Sequence, residues 1–140
     1  RGMREAARER LERHGLETRL LAVTVLTSMG TEDLAELGVA GALADHVERL
    51  ALLTRDCGLH GVVCSAQEAE RLKQLCGEDF LKVTPGIRPH FAARGDQHRI
   101  MSPAAAVAAG STHLVIGRPV TQAKDPMAAL EAIEQELADA

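Results

Sequence analysis

The stretch "GVVCSAQEAERLKQLCGEDFLKVTPGI" (residues 61–87) holds a strand, a helix and a second strand in one short segment. The run 61–65 is apolar and β-branched, which predicts a strand. Ser65 ends this run, and Glu68 stands three residues later, which is the capping box that begins a helix. The run 80–87 is again apolar and ends in Pro-Gly, which predicts the second strand. Two strands joined by a helix predict parallel pairing with a crossover connection.

The same alternation extends in both directions along the chain. Further strands are predicted at 19–28, which is apolar on both faces as in a buried parallel strand, and at 113–117. Further helices are predicted at 3–15, 31–38 with Thr31 as N-cap, 42–58, 102–110, and 125–140 with Asp125 as N-cap. The first of these places Met3, Ala7 and Leu11 on one face.

Four strand–helix units predict an α/β fold with a parallel sheet, and two architectures fit it. One is an open doubly wound sheet, and the other is part of an eight-stranded barrel. A complete (β/α)₈ barrel needs about 250 residues. Four units preceded by a lone helix within 140 residues would be its second half, strands 5–8 with their helices.

Composition excludes several classes of function. The formal charge is −4 without a basic block, which argues against a nucleic-acid surface. No apolar run approaches the length of a membrane span, and we expect no leader peptide. The three cysteines, an odd number with no CxxC pair, predict free thiols in a reducing compartment, the cytoplasm. No histidine pairs with a cysteine at zinc-ligand spacing, so no metal site is expected, and neither a dinucleotide fingerprint nor a Walker motif is present.

Polar residues follow each predicted strand, where parallel α/β folds carry their sites. Gly117, Arg118 and Pro119 end the last strand. A glycine there lets backbone N–H groups approach an anion, and the arginine offers a two-pronged donor to phosphate oxygens. The alternative is a surface arginine after a turn. Thr27 and Ser28 end the first strand, and they either donate to a polar planar ligand or complete an ordinary turn.

The segment 86–103 is long and has no predicted helix or strand. It carries Arg88, Arg94, Gln97 and Arg99. Such a segment is either an active-site lid, here a cationic one over a phosphate pocket, or a solvated linker.

Five motifs in order resemble the carboxyl-terminal half of the bacterial type of orotidine 5′-phosphate decarboxylase. These are "LLAVTVLTSM", "GVVCSAQEA", "VTPGIRP", "GDQHRI" and "LVIGRPVTQAKDP", and the resemblance covers essentially all 140 residues. The resemblance implies a (β/α)₈ barrel forming homodimers, with 1–140 as the carboxyl-terminal half of one domain and 86–103 as its lid. It also implies decarboxylation of orotidine 5′-monophosphate to uridine 5′-monophosphate in pyrimidine biosynthesis, with no metal or organic cofactor.

The resemblance also implies roles for particular residues. Arg118 and the Gly117 backbone would hold the phosphate, and Gln97 would bridge phosphate and pyrimidine. Further substrate contacts would come from Arg88, from Thr27 with Ser28 at the pyrimidine edge, and from Pro85 against the base.

The catalytic centre of that family, an Asp-x-Lys-x-x-Asp motif, has no match in this chain. The three lysines, Lys73, Lys82 and Lys124, all lie in other contexts. We therefore expect no catalytic residue within this segment and no turnover by these 140 residues alone. Two alternatives stay open: a related sugar-phosphate decarboxylase or aldolase of the same barrel superfamily, and a non-catalytic domain that binds a phosphate ligand.

Overall fold

The computed structural model describes residues 2–92 and 99–139. Its elements, in chain order, are α1 (Gly2–His14), β1 (Leu21–Val23), α2 (Thr31–Glu36), α3 (Leu43–Asp56), β2 (Gly61–Val63), α4 (Ala69–Cys76, preceded by a 3₁₀ turn at Ala66–Glu68), β3 (Leu81–Thr84), α5 (Pro103–Ala108), β4 (His113–Leu114), α6 (Arg118–Thr121) and α7 (Pro126–Ala138). Among these described helices there is none whose length and apolar character would let it cross a membrane.

The four strands form one parallel sheet in the order β1-β2-β3-β4. Leu21, Gly61 and Leu81 are aligned across the first three strands, and Val83 is aligned with His113. Each strand lies beside the next one in the chain, without the reversal of order that defines a doubly wound sheet. Of the two architectures that the sequence allowed, the described sheet is therefore that of a barrel segment.

The main core lies between the sheet and helices α3 and α4. Val62 and Cys64 of the β2 segment pack there with Val47 and Ala51 of α3 and with Leu72 of α4. These five residues are at most 1% exposed. A second, smaller cluster of Ala66, Ile87 and Ala106 lies under the loop that follows β3. The helix-facing side of the sheet is thus covered at β2 and β3, where Val62 and Lys82 are at most 1% exposed.

The opposite side of the sheet, which we call the inner face, carries Val23, Val63 and Val83. Val23 is 57% exposed and Val115, which follows β4, is 47% exposed. The expectation that the first strand is buried on both faces is therefore wrong for the described residues, because no second layer of these residues covers the inner face. In a closed barrel this face is filled by side chains from all eight strands, so its exposure here fits half a barrel.

Several helix boundaries agree with the sequence, and three features differ. Ser65 caps the 3₁₀ turn that leads into α4, and Asp125 caps α7 by accepting from the amides of Met127 and Ala128 at 3.0 and 3.1 Å. Thr31 is not the N-cap of α2; Gly30 is, because the Asp33 carboxylate reaches back to the Gly30 amide at 2.6 Å.

The other two differences concern α1 and α6. Helix α1 forms and ends before Gly15, whose φ is +65°, but none of its residues is buried, and Met3 is 62% exposed. Its apolar stripe therefore does not join the core. Helix α6 is a single turn and the next element after β4, and the sequence pattern did not indicate it.

Candidate functional site

The carboxyl ends of the parallel strands meet at one edge of the sheet, and the predicted site residues follow them. Thr27 and Ser28 follow β1, and Pro85 and Arg88 follow β3. Gly117 follows β4 and is the N-cap of α6, whose first residue is Arg118. This edge is therefore the place where the described chain gathers polar side chains.

A cavity of about 400 Å³ opens at the β3–β4 side of this edge. Within the part of the chain that the structure describes, its lining carries three cations and no carboxylate; these lining residues are Arg88, Phe91, Ala92, Arg118, Pro119, Gln122, Ala123 and Lys124. Three converging positive charges favour an anionic ligand. We refer to it below as the cationic cavity.

The Gly-Arg-Pro sequence after β4 places Arg118 on the cavity wall. Pro119 is buried in the first turn of α6, where its fixed φ and missing N–H suit a helix start. The Gly117 carbonyl accepts the amides of Val120 and Thr121 at 2.9 and 3.0 Å. A Cβ added at Gly117 would meet nothing within 4 Å, so open space adjoins the backbone beside Arg118.

Arg88 reaches the same cavity from the loop after β3. Its Nη1 donates to the Ile87 carbonyl at 2.9 Å, and its backbone amide donates to the Met101 carbonyl at 2.9 Å. Ile87 and Met101 also form an isolated parallel bridge. The residues near the two ends of the 86–103 segment are therefore bonded to each other. Arg88 lies at this point of contact and lines the cavity.

The structure thus brings Arg88 and Arg118 together and leaves Thr27, Ser28, Pro85 and Gly117 outside the cavity lining. Thr27 is 6% exposed, and Ser28 lies exposed beside it. Neighbouring strands lie about 4.8 Å apart, so the ends of β1 and β4 are roughly 14 Å apart across the sheet. A ligand that contacts both Arg118 and Thr27 has to be elongated. Gln97 and Arg94 lie outside the described residues.

Sequence inspection missed two features of this edge. The first is that Gln122 and Lys124 line the cationic cavity. The one feature of the sequence that pointed to them was their position shortly after Arg118. The second feature concerns Arg99, which was expected as a cation of the 86–103 segment. Its guanidinium instead pairs with Glu68, and the two side chains are 12% and 11% exposed.

Two buried titratable groups lie on the helix-facing side of the sheet, away from the cavity. Burial raises the pKa of the Cys64 thiol to about 12, so this cysteine is not a nucleophile at neutral pH. Lys82 is 1% exposed, its Nζ donates to the Phe80 carbonyl at 2.8 Å, and burial lowers its pKa. Within 2–92 and 99–139, no group of three or more histidine, cysteine or acidic residues is placed to hold a metal ion.

Comparison with known proteins assigns the chain to a family. Residues 1–133 match the family described as orotidine 5′-phosphate decarboxylase / HUMPS. The chain belongs to this family. The interpretation of the motifs made from the sequence is thereby confirmed.

The relatives also show how much of the family's length the chain spans. It is 63% identical over 139 residues to orotidine 5′-phosphate decarboxylase of Chromohalobacter salexigens, covering 99% of this chain and 59% of that protein. It is 61% identical to the enzyme of Chromobacterium violaceum, covering 98% and 56%. The crystal structure of the Lactobacillus acidophilus enzyme superposes with a TM-score of 0.72 at 41% identity, covering 87% of this chain and 50% of that one. The chain thus spans little more than half the length of these orotidine 5′-phosphate decarboxylases, and the predicted half barrel is confirmed.

Proposed function

We propose that the polypeptide containing this chain converts orotidine 5′-monophosphate to uridine 5′-monophosphate and CO₂. The chain would supply the grip on the phosphate and on the pyrimidine. The observation that carries the proposal is the cationic cavity at the carboxyl edge of the sheet, in a chain whose relatives are named orotidine 5′-phosphate decarboxylase.

The phosphate site is built around Arg118. Its guanidinium forms two parallel hydrogen bonds to phosphate oxygens, and the open backbone at Gly117 lets the phosphate approach closely. Arg88 and Lys124 add positive charge from the other walls of the cavity. A phosphate dianion there is neutralised without help from a metal ion, and the proposal includes neither a metal nor an organic cofactor.

The pyrimidine lies toward the β1 end of the edge. Thr27 and Ser28 meet its polar edge, and Pro85, half-buried after β3, flanks the ring. The roughly 14 Å between the β1 and β4 ends suits a nucleotide with its phosphate at one end and its base at the other. The family resemblance alone assigns Gln97 to this site and the role of a lid to 86–103.

The proton donor for the decarboxylated carbon lies outside this chain. Decarboxylation needs a positioned ammonium that stabilises the developing negative charge and then protonates that carbon. Lys82 is buried on the helix-facing side of the sheet, away from the carboxyl edge. Lys73 lies on the outer surface, where its Nζ is 3.0 Å from the Glu78 carboxylate. We therefore propose that residues 1–140 alone do not turn over substrate. Phosphate binding still serves the reaction, because remote binding energy orients the base.

The proposal extends to assembly and location. The complete protein is a cytoplasmic homodimer that acts on a small nucleotide, not on nucleic acid or at a membrane. The family resemblance and the free cysteines support this part of the proposal.

The test is Arg118→Ala in the full-length polypeptide, with Arg49→Ala as the control. Arg49 lies exposed on α3, where its Nη2 is 2.9 Å from His46 Nδ1. Two charge-assisted hydrogen bonds, at about 1.5 kcal/mol or more each, predict at least a 100-fold loss of uridine 5′-monophosphate affinity in Arg118→Ala. The control should bind like the wild type, and both proteins should be compared by titration calorimetry and by turnover.

Three outcomes would contradict the proposal. Unchanged nucleotide affinity in Arg118→Ala would remove the phosphate role. Tighter binding of a pentulose phosphate than of the nucleotide would indicate a sugar-phosphate enzyme. Nucleotide binding without turnover by the full-length wild type would indicate a binding domain.

A further inference from the structure

A buried ion pair ties three segments together at the β1–β2 side of the carboxyl edge. Arg99 Nη1 donates to Glu68 Oε1, and both side chains are nearly inaccessible, at 12% and 11% exposed. Arg99 Nη2 donates in addition to the carbonyls of Val25 and Leu26, at 3.2 and 3.0 Å. One guanidinium therefore bonds a carboxylate and the backbone that follows β1.

Glu68 is itself held from the other side. Its Oε2 accepts the Ser65 amide at 2.9 Å, while Ser65 Oγ accepts the Gln67 amide at 3.3 Å. This capping box fixes the carboxylate at the start of the 3₁₀ turn after β2. Arg99 therefore meets an acceptor whose orientation is already set by a rigid turn.

The backbone near Arg99 is bonded to the same two places. The Arg99 amide donates to the Thr27 carbonyl at 3.4 Å, and Gln67 Nε2 donates to the Ile100 carbonyl at 3.4 Å. Two residues after Arg99, Met101 is bonded to Arg88 on the β3 side. The segment 99–101 therefore runs along the edge from the end of β1 to the loop after β3.

Stability alone gives a poor account of such a pair. The desolvation of two buried charges offsets most of their attraction, so apolar residues of similar size would stabilise a fold equally well. Burial raises the pKa of Glu68, and the Arg99 guanidinium opposes that rise. The pair fixes the position of the backbone after β1 relative to the turn after β2. The planar guanidinium of Arg99 bonds the Glu68 carboxylate and both carbonyls at once, which a lysine ammonium does not.

We propose that Glu68 and Arg99 are a positioning pair for the pyrimidine side of the site. The pair fixes the backbone at Thr27 and one end of the 86–103 segment, and Arg99 is not a phosphate ligand. This inference rests on the proposed function, since it takes the β1 end to be the base side and the cationic cavity to be the phosphate side. The inference predicts that breaking the pair lowers the affinity for the nucleotide and leaves the affinity for inorganic phosphate nearly unchanged.

The experiment compares nucleotide and phosphate binding in the full-length protein carrying Arg99→Met, Arg99→Lys or Glu68→Gln. Uridine 5′-monophosphate affinity should fall by about 10-fold or more, the size of one lost charge-assisted hydrogen bond. Inorganic phosphate affinity should stay within about two-fold of the wild type, because Arg118 lies at the other end of the sheet edge. Arg99→Lys should not rescue nucleotide binding, although it keeps the charge.

The matched controls are Arg71→Met and Glu48→Gln. These two residues form a two-bond ion pair between α4 and α3, at 2.9 and 3.3 Å, away from the edge. Both controls should keep both affinities. Rescue by Arg99→Lys, or equal losses of phosphate and nucleotide affinity, would overturn the positioning role.

A failure of the proposed function gives a different result. In that case the wild-type protein would not bind uridine 5′-monophosphate at all. The positioning role is then decided by hydrogen exchange of the Arg99 amide, which should speed up at least 10-fold in Glu68→Gln. Unchanged exchange would overturn it.

Discussion

The β2–β3 pair leaves no room for a side chain at Gly61. This residue is buried and aligned with Leu81 in the parallel register. A Cβ added there would lie 2.2 Å from the Leu81 carbonyl oxygen and 2.4 Å from its Cβ. Real Cβ atoms essentially never come within 3.0 Å of such neighbours, so Gly61→Ala requires a displacement of about 0.8 Å (3.0 − 2.2).

The cost follows from what has to move. The obstructing oxygen is backbone, so no side-chain rotation relieves the contact, and the two strands must separate. The hydrogen bond from the Leu81 amide to the His60 carbonyl, 2.9 Å long, lies beside the contact and is weakened with it. Overpacking costs about 1–3 kcal/mol and a lost hydrogen bond about 1 kcal/mol, so Gly61→Ala should destabilise by about 2–4 kcal/mol. That is a large share of the roughly 5–15 kcal/mol that stabilises a typical domain.

Urea unfolding followed by circular dichroism measures this loss. The control is Gly30→Ala, where the added Cβ would lie 3.7 Å from the Asp33 carboxylate and the backbone is extended. The control should lose no more than about 1 kcal/mol, the usual size of an N-cap effect. If Gly61→Ala and Gly30→Ala unfold at the same urea concentration, the close approach of β2 and β3 is wrong.

Three further predictions concern charge. Lys124→Ala should weaken nucleotide binding by roughly three- to ten-fold at low salt and by less at high salt, because salt screens exposed charges. The control Lys73→Ala should leave nucleotide binding unchanged, and titration of both variants at two ionic strengths checks this. The native pKa of Lys82 lies below the ordinary 10.5, so the unfolded chain binds more protons between the two values and stability rises with pH there. Lys82→Met should flatten that rise in urea unfolding across the alkaline range. For Cys64 the sign is opposite: the unfolded thiol ionises near 9.0 and the native one near 12, so stability falls with pH in that window, and Cys64→Ala should reduce the fall in the same measurement.

Local features of the fold were predictable because they are encoded within a few residues. The capping box at Ser65 and Glu68 and the N-cap at Asp125 depend on side chains that reach only two or three residues along the chain. The alternation of strands and helices likewise follows from short apolar patterns and predicted the parallel sheet. The expected cap at Thr31 was wrong although the deciding contact is equally local, since the Asp33 carboxylate accepts from the Gly30 amide and Gly30 is the N-cap.

The candidate site was only partly predictable. The motif after β4 indicated Gly117 and Arg118 as an anion site from local chemistry, and the structure places Arg118 on the wall of a cationic cavity. Lys124 lies on that wall shortly after α6, a helix that the sequence pattern did not indicate. Without the sheet order, neither Arg118 nor Lys124 could be placed relative to Arg88, which precedes them by 30 and 36 positions.

The sequence by itself determined the order of the strands and of the helices other than α6, the parallel sheet and the family, because these depend on short-range patterns and on motifs along the chain. Only the tertiary structure decided that the inner face is exposed at Val23 and that Arg99 forms an ion pair with Glu68 instead of lining the cationic cavity. Glu68 and Arg99 are 31 residues apart, on different segments. Their contact exists because parallel strands bring their carboxyl ends to one edge, and no local preference of either residue encodes that meeting.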